Sequence, residues 1–217
     1  MFIRNVFIIF LPFLNFNLTL CFHKNIQTRS IKSLYASNTP DILLPYLYPE
    51  DKNRLAKGEM VEKQRRDGSR GFGTVIIDIK YSPDVVFDTL TRFDMYQDMI
   101  SIVKTSKILS SNGPNTIVEY TLSQFSLRIN VIHTVLPDQR LIKFTLDSTR
   151  VNLVFREAEG FWHVQIPTDR PEGYSRIYLS AEILTHKNVP KIIIDYAAAT
   201  ALSRATNWLK PFFIEKS

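Results

Sequence analysis

The sequence predicts an α+β domain in which an antiparallel sheet of about seven strands is combined with two short helices and one long C-terminal helix. The two short helices are predicted directly after the first strand, where Ser82-Pro83 follows an alternating apolar stretch. From Ser101 to His186 the pattern is that of successive strands joined by turns too short for a parallel crossover, which favours sequential antiparallel pairing. The last segment has apolar residues at helical spacing and no glycine.

The first strand and the helices after it have clear local signals. Val75, Ile77 and Ile79 alternate with Ile76, Asp78 and Lys80, which predicts a strand with one apolar face. Ser82 is a good N-cap, and Pro83 at the first helical position sacrifices no hydrogen bond. The apolar residues that follow at helical spacing are Val86, Phe87, Leu90 and Phe93, and a second short helix is expected from Asp94 onward.

The remaining strands are predicted from period-two patterns between turn signals such as "NGP" and "LPDQR". Each strand has one apolar face, and we expect these faces to form the inside of the sheet. The predicted inward residues are Val118, Tyr120, Leu122, Leu127, Ile129, Val131, His133, Val135, Ile142, Phe144, Leu146, Ala158, Gly160, Trp162, Val164, Ile166, Ile177, Leu179, Ala181 and Ile183.

The C-terminal helix is expected to start at Pro190 and to end at Pro211. About twenty residues at 1.5 Å each give a length on the order of 30 Å, enough to cross a whole sheet. Its apolar stripe is rich in alanine and consists of Ile194, Ala197, Ala198, Ala201, Ala205, Trp208 and Phe212.

The N-terminal forty residues have the composition of targeting segments. Residues 1–21 have a positive start, an apolar run and a more polar end, which is typical of a signal peptide, and residues 22–40 are basic and free of acidic residues, as transit peptides are. Together they resemble the two-part plastid leaders of algae with complex plastids, while secretion and mitochondrial import remain alternatives. Residues 41–70 are predicted to be a connector with an additional strand near Asp67-Gly68, a hairpin signal.

Composition excludes several classes of function. The chain of 217 residues is 45% hydrophobic and 12% aromatic, which suits a globular core. Its net charge of +6 is concentrated in the leader, because removing the four basic residues of 1–40 from the 27 leaves 23 against 21 acidic residues. We therefore expect no nucleic-acid partner. The single cysteine, Cys21, lies in the leader, so a disulfide, a thiolate nucleophile and a cysteine-ligated metal are not expected in the mature chain.

Two motifs indicate a family. "FREAEGFWHV" resembles the phenylalanine-arginine, glutamate-glycine, tryptophan pattern of the coenzyme-Q-binding branch of the polyketide cyclase/dehydrase-like proteins, and "SPDVVFDTLTRFDMYQDMI" is similar to the first helices of that branch. The order of predicted elements resembles the helix-grip fold of the START-like superfamily. The resemblance covers residues 71–213. It implies a curved sheet wrapped around the C-terminal helix, with Gly160 at the bend and Trp162 filling the space beside it.

The resemblance further implies a cavity for an apolar molecule, such as a lipid or a prenylquinone, between sheet and helix. His133 falls among apolar inward positions and is expected to hydrogen-bond a carbonyl of that ligand; ordinary core packing is the alternative for every one of these residues. The predicted cavity-lining residues are Phe93, Tyr120, His133, Phe144, Trp162, Ile194, Ala198, Ala201 and Ala205.

No arrangement of residues points to a particular catalytic chemistry. The sequence has no HExxH motif and no serine in a nucleophile elbow, and "GFGTV" lacks the third glycine of a dinucleotide loop. His163 and His186 are predicted on an outward strand position and at a strand end. No cofactor and no metal are therefore expected. Two alternatives to a carrier remain: a cyclase or dehydratase-type enzyme, and an assembly factor that contacts a membrane surface through Trp208, Phe212 and Phe213.

Overall fold

The computed structural model describes residues 42–122, 127–189 and 205–214. Within these ranges the chain forms one eight-stranded sheet in the order β1-β2-β8-β7-β6-β5-β4-β3, and every neighbouring pair is antiparallel. The sheet is curved but not closed. The strands are β1 Val61–Asp67, β2 Arg70–Ile79, β3 Val103–Asn112, β4 Asn115–Leu122, β5 Leu127–Leu136, β6 Leu141–Leu146, β7 Phe155–Gln165 and β8 Ser175–Thr185.

Short helices accompany the sheet. Helix α1 (Pro49–Ala56) precedes β1, and α2 (Pro83–Leu90) follows β2, then a 3₁₀ turn Phe93–Met95 and α3 (Tyr96–Met99). Ser82 caps α2 as predicted, since its side chain accepts a hydrogen bond from the Val85 backbone N–H and Pro83 is in the first turn. A second 3₁₀ turn, Pro137–Gln139, joins β5 to β6, and α4 spans Leu209–Ile214.

The fold class is as the sequence predicts, including the two short helices after the long strand β2. The additional strand indicated by the hairpin at Asp67-Gly68 is present as β1, which pairs with β2. The predicted leader, residues 1–40, lies outside the described residues. So does most of the predicted C-terminal helix, up to residue 204.

The end of the C-terminal helix differs from the prediction. Residues 205 and 206 are helical, residues 207 and 208 form a turn, and α4 then contains Pro211 instead of ending there. A proline lacks the backbone N–H and its ring collides with the carbonyl four residues earlier, which here belongs to Asn207. The helix therefore breaks before Pro211, and the proline is accommodated in the first turn of a new helix.

The main core lies on the inner face of the sheet, the face that carries α2, α3 and α4. The buried side chains contributed by the sheet come from the alternating positions predicted to face inward, and those of the helices include Val86, Leu90 and Phe93. Trp208, Leu209 and Phe213 are also buried in this core, and Phe212 packs against it. The terminal aromatic residues are thus occupied in packing and do not form the exposed foot expected for membrane contact.

A second, smaller core lies on the outer face, where the sequence predicts polar positions. Leu47 and Leu55 of the α1 region pack with Val61, Ile76 and Tyr178. Because this layer covers the outer face, β2 is buried on both sides from Gly73 to Ile79. His163, predicted to point outward, is on this face but only 6% exposed, beside Tyr178 at 6.2 Å between ring centroids.

A buried ion pair joins β2 and β8 beneath α1. Arg176 donates to both carboxylate oxygens of Asp78, at 2.7 and 2.8 Å, and also to Asp169 at 2.8 Å. The side chains of Asp78 and Arg176 are 1% and 4% exposed. Burial acts to lower the pKa of Arg176, but the hydrogen bonds to Asp78 and Asp169 outweigh it and raise that pKa. The guanidinium therefore stays charged.

Candidate functional site

Five of the predicted cavity residues are brought together on the inner face. His133 is the direct cross-strand neighbour of Phe144 in β6, which in turn lies opposite Gly160 in β7. Phe93 stacks on the imidazole with ring centroids 4.1 Å apart. Tyr120 and Trp162 are buried in the same core, and Phe144 packs against it partly buried.

The other four predicted residues come from the C-terminal helix. Ile194, Ala198 and Ala201 lie outside the described residues. Ala205 is partly buried against the inner core, and its carbonyl accepts a hydrogen bond from the Trp208 indole at 2.7 Å. Ala205 is therefore on the side of the sheet that carries the aromatic cluster.

His133 is the polar centre of this aromatic cluster. Its side chain is 3% exposed, and burial lowers its pKa to about 3, so the ring is neutral at physiological pH. The Nε2 atom lies 2.9 Å from the Tyr120 hydroxyl. The Nδ1 atom has no hydrogen-bond partner among the described residues. Buried polar atoms without a partner are uncommon in folded proteins, and the described residues contain two others, His163 Nδ1 and Arg170 Nε.

Two polar residues beside His133 were not predicted from the sequence. Tyr96 stacks on Tyr120 at 5.9 Å and donates its hydroxyl to the Leu90 carbonyl at 2.7 Å, and burial raises its pKa. Ser106 is the cross-strand partner of Tyr120 and donates to the Phe93 carbonyl.

The position of Ser106 results from an irregularity in β3. Strict alternation from the inward residue Val103 would turn Ser106 outward, but a register shift between Val103 and Thr105 places it opposite inward-facing Tyr120. A bulge cannot be located from alternation alone, and Tyr96 lies on a four-residue helix too short for a periodic signal.

The space at the bend of β7 is filled differently from the prediction. A Cβ at Gly160 would overlap both the Ser180 backbone oxygen and the Phe144 ring. Phe144, the direct cross-strand neighbour, therefore takes the room that glycine leaves, while Trp162 packs two residues further on, opposite Ile142. A glycine and an aromatic ring are thus adjacent at this bend, but the ring that lies over Gly160 is that of Phe144 and not that of Trp162.

A groove of about 300 Å³ at the start of β7 contains none of the ring cluster around His133. Its lining is mixed: charged side chains such as Arg70, Glu157 and Glu182 alternate with the apolar Leu146, Ala158 and Leu184. Arg70 is hydrogen-bonded to Glu182 and lies 3.5 Å from Glu157, so these charges compensate one another.

The described ranges contain no group of three or more His, Cys, Asp or Glu side chains placed to hold a metal ion. In the same ranges no helix combines the length and the hydropathy needed to cross a bilayer.

Solved structures with the same arrangement of strands and helices include a START superfamily protein from Mycobacterium smegmatis. It aligns with a TM-score of 0.54 and 14% identity, over 73% of this chain and 99% of that protein. The chain has a START-like fold. A STAR-related lipid transfer protein fragment from Xanthomonas axonopodis aligns with a TM-score of 0.54 and 12% identity, over 69% of this chain and 89% of that one.

An enzyme shares the fold as well. Norcoclaurine synthase from Thalictrum flavum, a point mutant in complex with a transition-state analogue, aligns with a TM-score of 0.52 and 16% identity, over 73% of this chain and 99% of the enzyme. No family model matches the sequence, and no curated protein does. At these identities the structural likeness establishes the START-like fold and leaves the function to be argued from the site.

Proposed function

We propose that this protein binds an apolar small molecule without transforming it, holding the molecule between the inner face of the sheet and the C-terminal segment. The observation that carries the proposal is His133, a neutral buried ring set among aromatic side chains with one nitrogen unpartnered. Ligand sites of this kind are mostly apolar, with a few fixed polar groups that orient the ligand. The structural likeness to a STAR-related lipid transfer protein supports a lipid-like ligand.

A prenylquinone is the finer proposal. It rests on the resemblance of "FREAEGFWHV" to the coenzyme-Q-binding branch. The ring cluster of Phe93, Tyr120 and Phe144 around His133 suits a flat ring with an apolar tail, since aromatic side chains pack on such rings face to face or edge to face.

Native mass spectrometry of the full chain, purified without detergent, tests the binding proposal. We expect a mass adduct that is lost on organic extraction, and we expect the mass of the extracted compound to identify it as an apolar molecule. A chain that emerges with no adduct, and whose melting temperature is unchanged by added quinones, carotenoids and fatty acids, would contradict the proposal.

Catalysis of a ring closure or dehydration is the second candidate, favoured by His133 lying 2.9 Å from the Tyr120 hydroxyl. It ranks second because a general base works best when its pKa is near the working pH, and burial lowers the pKa of His133 to about 3. Turnover of such a substrate that is lost in His133→Phe would reverse this order.

We further propose a transient contact with an anionic membrane surface. The contact would be made by the loop between β6 and β7 instead of by Trp208, Phe212 and Phe213. Val151 and Leu153 on this loop are 95% and 84% exposed, and Arg150 between β6 and β7 supplies positive charge, whereas Arg156 at the start of β7 lies 3.5 Å from Glu157. The loop ends in a local turn, in which the Asn152 side chain accepts hydrogen bonds from the backbone N–H groups of Val154 and Phe155. Exposed aliphatic side chains with basic neighbours suit the interface of an anionic bilayer.

Plastid targeting by residues 1–40 is also proposed, with secretion and mitochondrial import as the alternatives. The basic, acid-free composition after an apolar run supports it. A fluorescent protein carrying residues 1–40, expressed in an alga with complex plastids, should accumulate in the plastid; accumulation in the medium or in mitochondria would favour one of the alternatives.

A further inference from the structure

The turn between β3 and β4 contains the only Asn-Gly pair of the sequence, Asn112-Gly113. Asn112 is the last residue of β3 and pairs with Asn115, the first residue of β4, so Gly113 and Pro114 form a two-residue turn. Gly113 has a φ of 55°, the left-handed value that the first central residue of a type II′ turn needs and that glycine adopts without strain. Residues 111–115 are all exposed.

An asparagine followed by glycine can react with its own backbone. The Gly113 nitrogen attacks the carbonyl carbon of the Asn112 side chain, a C–N bond forms, and the side-chain nitrogen leaves as ammonia with the proton of the Gly113 amide. Water then opens the resulting cyclic imide at either carbonyl and leaves an aspartate or an isoaspartate, in which the main chain runs through the side-chain carbon. The reaction consumes only water, and a glycine favours it because no Cβ shields the attacking nitrogen.

The folded hairpin leaves both reacting groups free. Neither the Asn112 side chain nor the Gly113 N–H has a hydrogen-bond partner in the ranges that the structure describes. The sheet pairing at this end runs through Asn112 and Asn115, so attack by the Gly113 nitrogen breaks no hydrogen bond between the strands. A Cβ built on Gly113 meets no atom within 4 Å, so this side of the turn is open.

Two other asparagines next to turns are held in place. The Asn152 Oδ1 atom accepts two backbone N–H hydrogen bonds, at 3.1 and 2.6 Å, and the Asn115 Oδ1 atom accepts the Thr134 hydroxyl at 2.8 Å. Each is also followed by a residue with a branched side chain, Leu153 or Thr116, which crowds the backbone nitrogen. Asn152 and Asn115 are therefore internal references for the reactivity of Asn112.

We propose that Asn112 is a site of spontaneous covalent modification, at which the folded chain converts to aspartate and isoaspartate. The isoaspartate adds one carbon to the main chain at the end of β3, so it disturbs the pairing at the tip of the hairpin, including that of Ser111 with Thr116. The Ser111 and Thr116 hydroxyls are hydrogen-bonded at 3.2 Å, and Thr116 is the direct cross-strand neighbour of His133. Modified chains should therefore be less stable.

Peptide mapping by mass spectrometry, after incubation of the full chain at mildly alkaline pH, measures the conversion at each asparagine. We expect Asn112 to convert at least about tenfold faster than Asn152 and Asn115, which corresponds to an activation free energy lower by about 1.4 kcal/mol or more. Labelling with an isoaspartyl methyltransferase detects the isoaspartate share. The same incubation in urea gives the rate for the unfolded chain. Conversion of Asn112 in urea, but no faster than that of Asn152 and Asn115 in the folded chain, would overturn the inference.

Asn112→Gln is the matched variant, because a glutamine has the same charge but must close a larger, less favourable ring. After equal incubation the melting temperature of the unaltered chain should fall, and that of Asn112→Gln should not. Freshly prepared Asn112→Asp, which has the charge without the additional main-chain carbon, should melt like the fresh unaltered chain. Conversion of Asn112 with an unchanged melting temperature would overturn the expected effect on the fold. These measurements need no ligand, so their outcome is independent of the proposed function.

Discussion

At the residue scale, the structure shows which groups contact each inward side chain, whereas the sequence predicts only the face of the sheet on which that side chain lies. Position 160 has no room for a side chain, because the Phe144 ring lies over Gly160 and the Ser180 carbonyl of the adjacent strand is close to it. His133 is fixed by Tyr120 and by the stacked ring of Phe93. In each case the partner comes from a neighbouring strand or from the 3₁₀ turn, so only the pairing of the sheet reveals it.

Gly160→Ala should destabilise the protein, because the added Cβ overlaps a backbone oxygen that cannot move without disturbing the pairing of β7 and β8. The expected loss of unfolding free energy is about 1–3 kcal/mol, measured by urea denaturation. Gly71→Ala is the matched control, since nothing lies within 4 Å of its added Cβ. Equal stabilities of the two variants would contradict the role assigned to Gly160.

The titration of His133 should be shifted strongly to acid. Burial lowers its pKa in the folded chain to about 3, while an unfolded histidine titrates near ~6.5. Between pH ~6.5 and about pH 3 the unfolded state binds a proton on this histidine that the folded state does not bind. The contribution of His133 to the free energy of unfolding is therefore complete above pH ~6.5 and falls by up to about 1.4 kcal/mol for each pH unit between pH ~6.5 and about pH 3.

Imidazole NMR resonances of His133, followed against pH, measure this shift directly. Burial also lowers the pKa of His163, so acid destabilisation of the whole protein has two contributions of the same sign and only site-resolved data separate them. A His133 midpoint near 6.5 in the folded protein would show that the ring is hydrated.

At the scale of elements, each face of the sheet has its own covering. The inner face is covered in part by α2, α3 and α4, and the outer face by α1 with the segment before it. The Asp78–Arg176 pair lies under α1. Arg170, whose Nε is 3.4 Å from Asp78, donates to the Ala56 carbonyl at the end of that helix, at 3.4 Å. The ion pair thus helps to hold α1 against β2 and β8.

Arg176→Leu should cost up to about 3–5 kcal/mol, because it removes the bidentate partner of the Asp78 carboxylate, which is 1% exposed, and leaves Arg170 at 3.4 Å as its remaining cation. Arg128→Leu is the surface control. Arg128 is 70% exposed and 3.9 Å from Glu119, so its loss should cost at most about 1 kcal/mol. Chemical denaturation of both variants checks this, and similar losses would mean that the Asp78–Arg176 pair is not specially important for stability.

Val151→Ser combined with Leu153→Ser should reduce flotation of the chain with anionic liposomes and leave the melting temperature unchanged, because both side chains are almost fully exposed. Ile166→Ser is the matched control. Ile166 is 64% exposed but follows β7, whereas the loop precedes it, so the two sites are separated by the length of an eleven-residue strand. Equal flotation of all three proteins, or loss in the control alone, would exclude the loop as the membrane contact.

At the scale of the whole molecule, the sheet is open, with β1 and β3 as its edges. The last strand, β8, pairs with the first long strand, β2. The inner aromatic cluster lies on the other side of β8 in the sheet, with Tyr120 on β4, His133 on β5 and Phe144 on β6. A ligand bound on the inner face would contact several strands at once and should stabilise the fold as a unit.

An apolar ligand that binds the folded chain should raise its melting temperature. At a ligand concentration one hundred times the Kd the gain is about 2.7 kcal/mol, which for a chain of this size corresponds to roughly 5–10 °C. Differential scanning fluorimetry with the ligand identified by native mass spectrometry measures the shift. In His133→Phe the shift should be smaller, and an unchanged shift would show that the ligand does not contact the imidazole.

The sequence by itself determined the order of elements from β2 to β8, the inward residues on most of these strands and the position of His133 among apolar residues, because strand periodicity and capping are local properties. Ile166, also predicted to face inward, lies beyond the end of β7 and is 64% exposed. The tertiary structure decided the features that depend on distant partners. These are the burial of His163 and β2 under α1, the pairing of Phe144 with Gly160, the inward turn of Ser106 at a bulge, and the break of the C-terminal helix before Pro211. Each arises from a contact or a steric conflict between groups whose proximity no alternation pattern encodes.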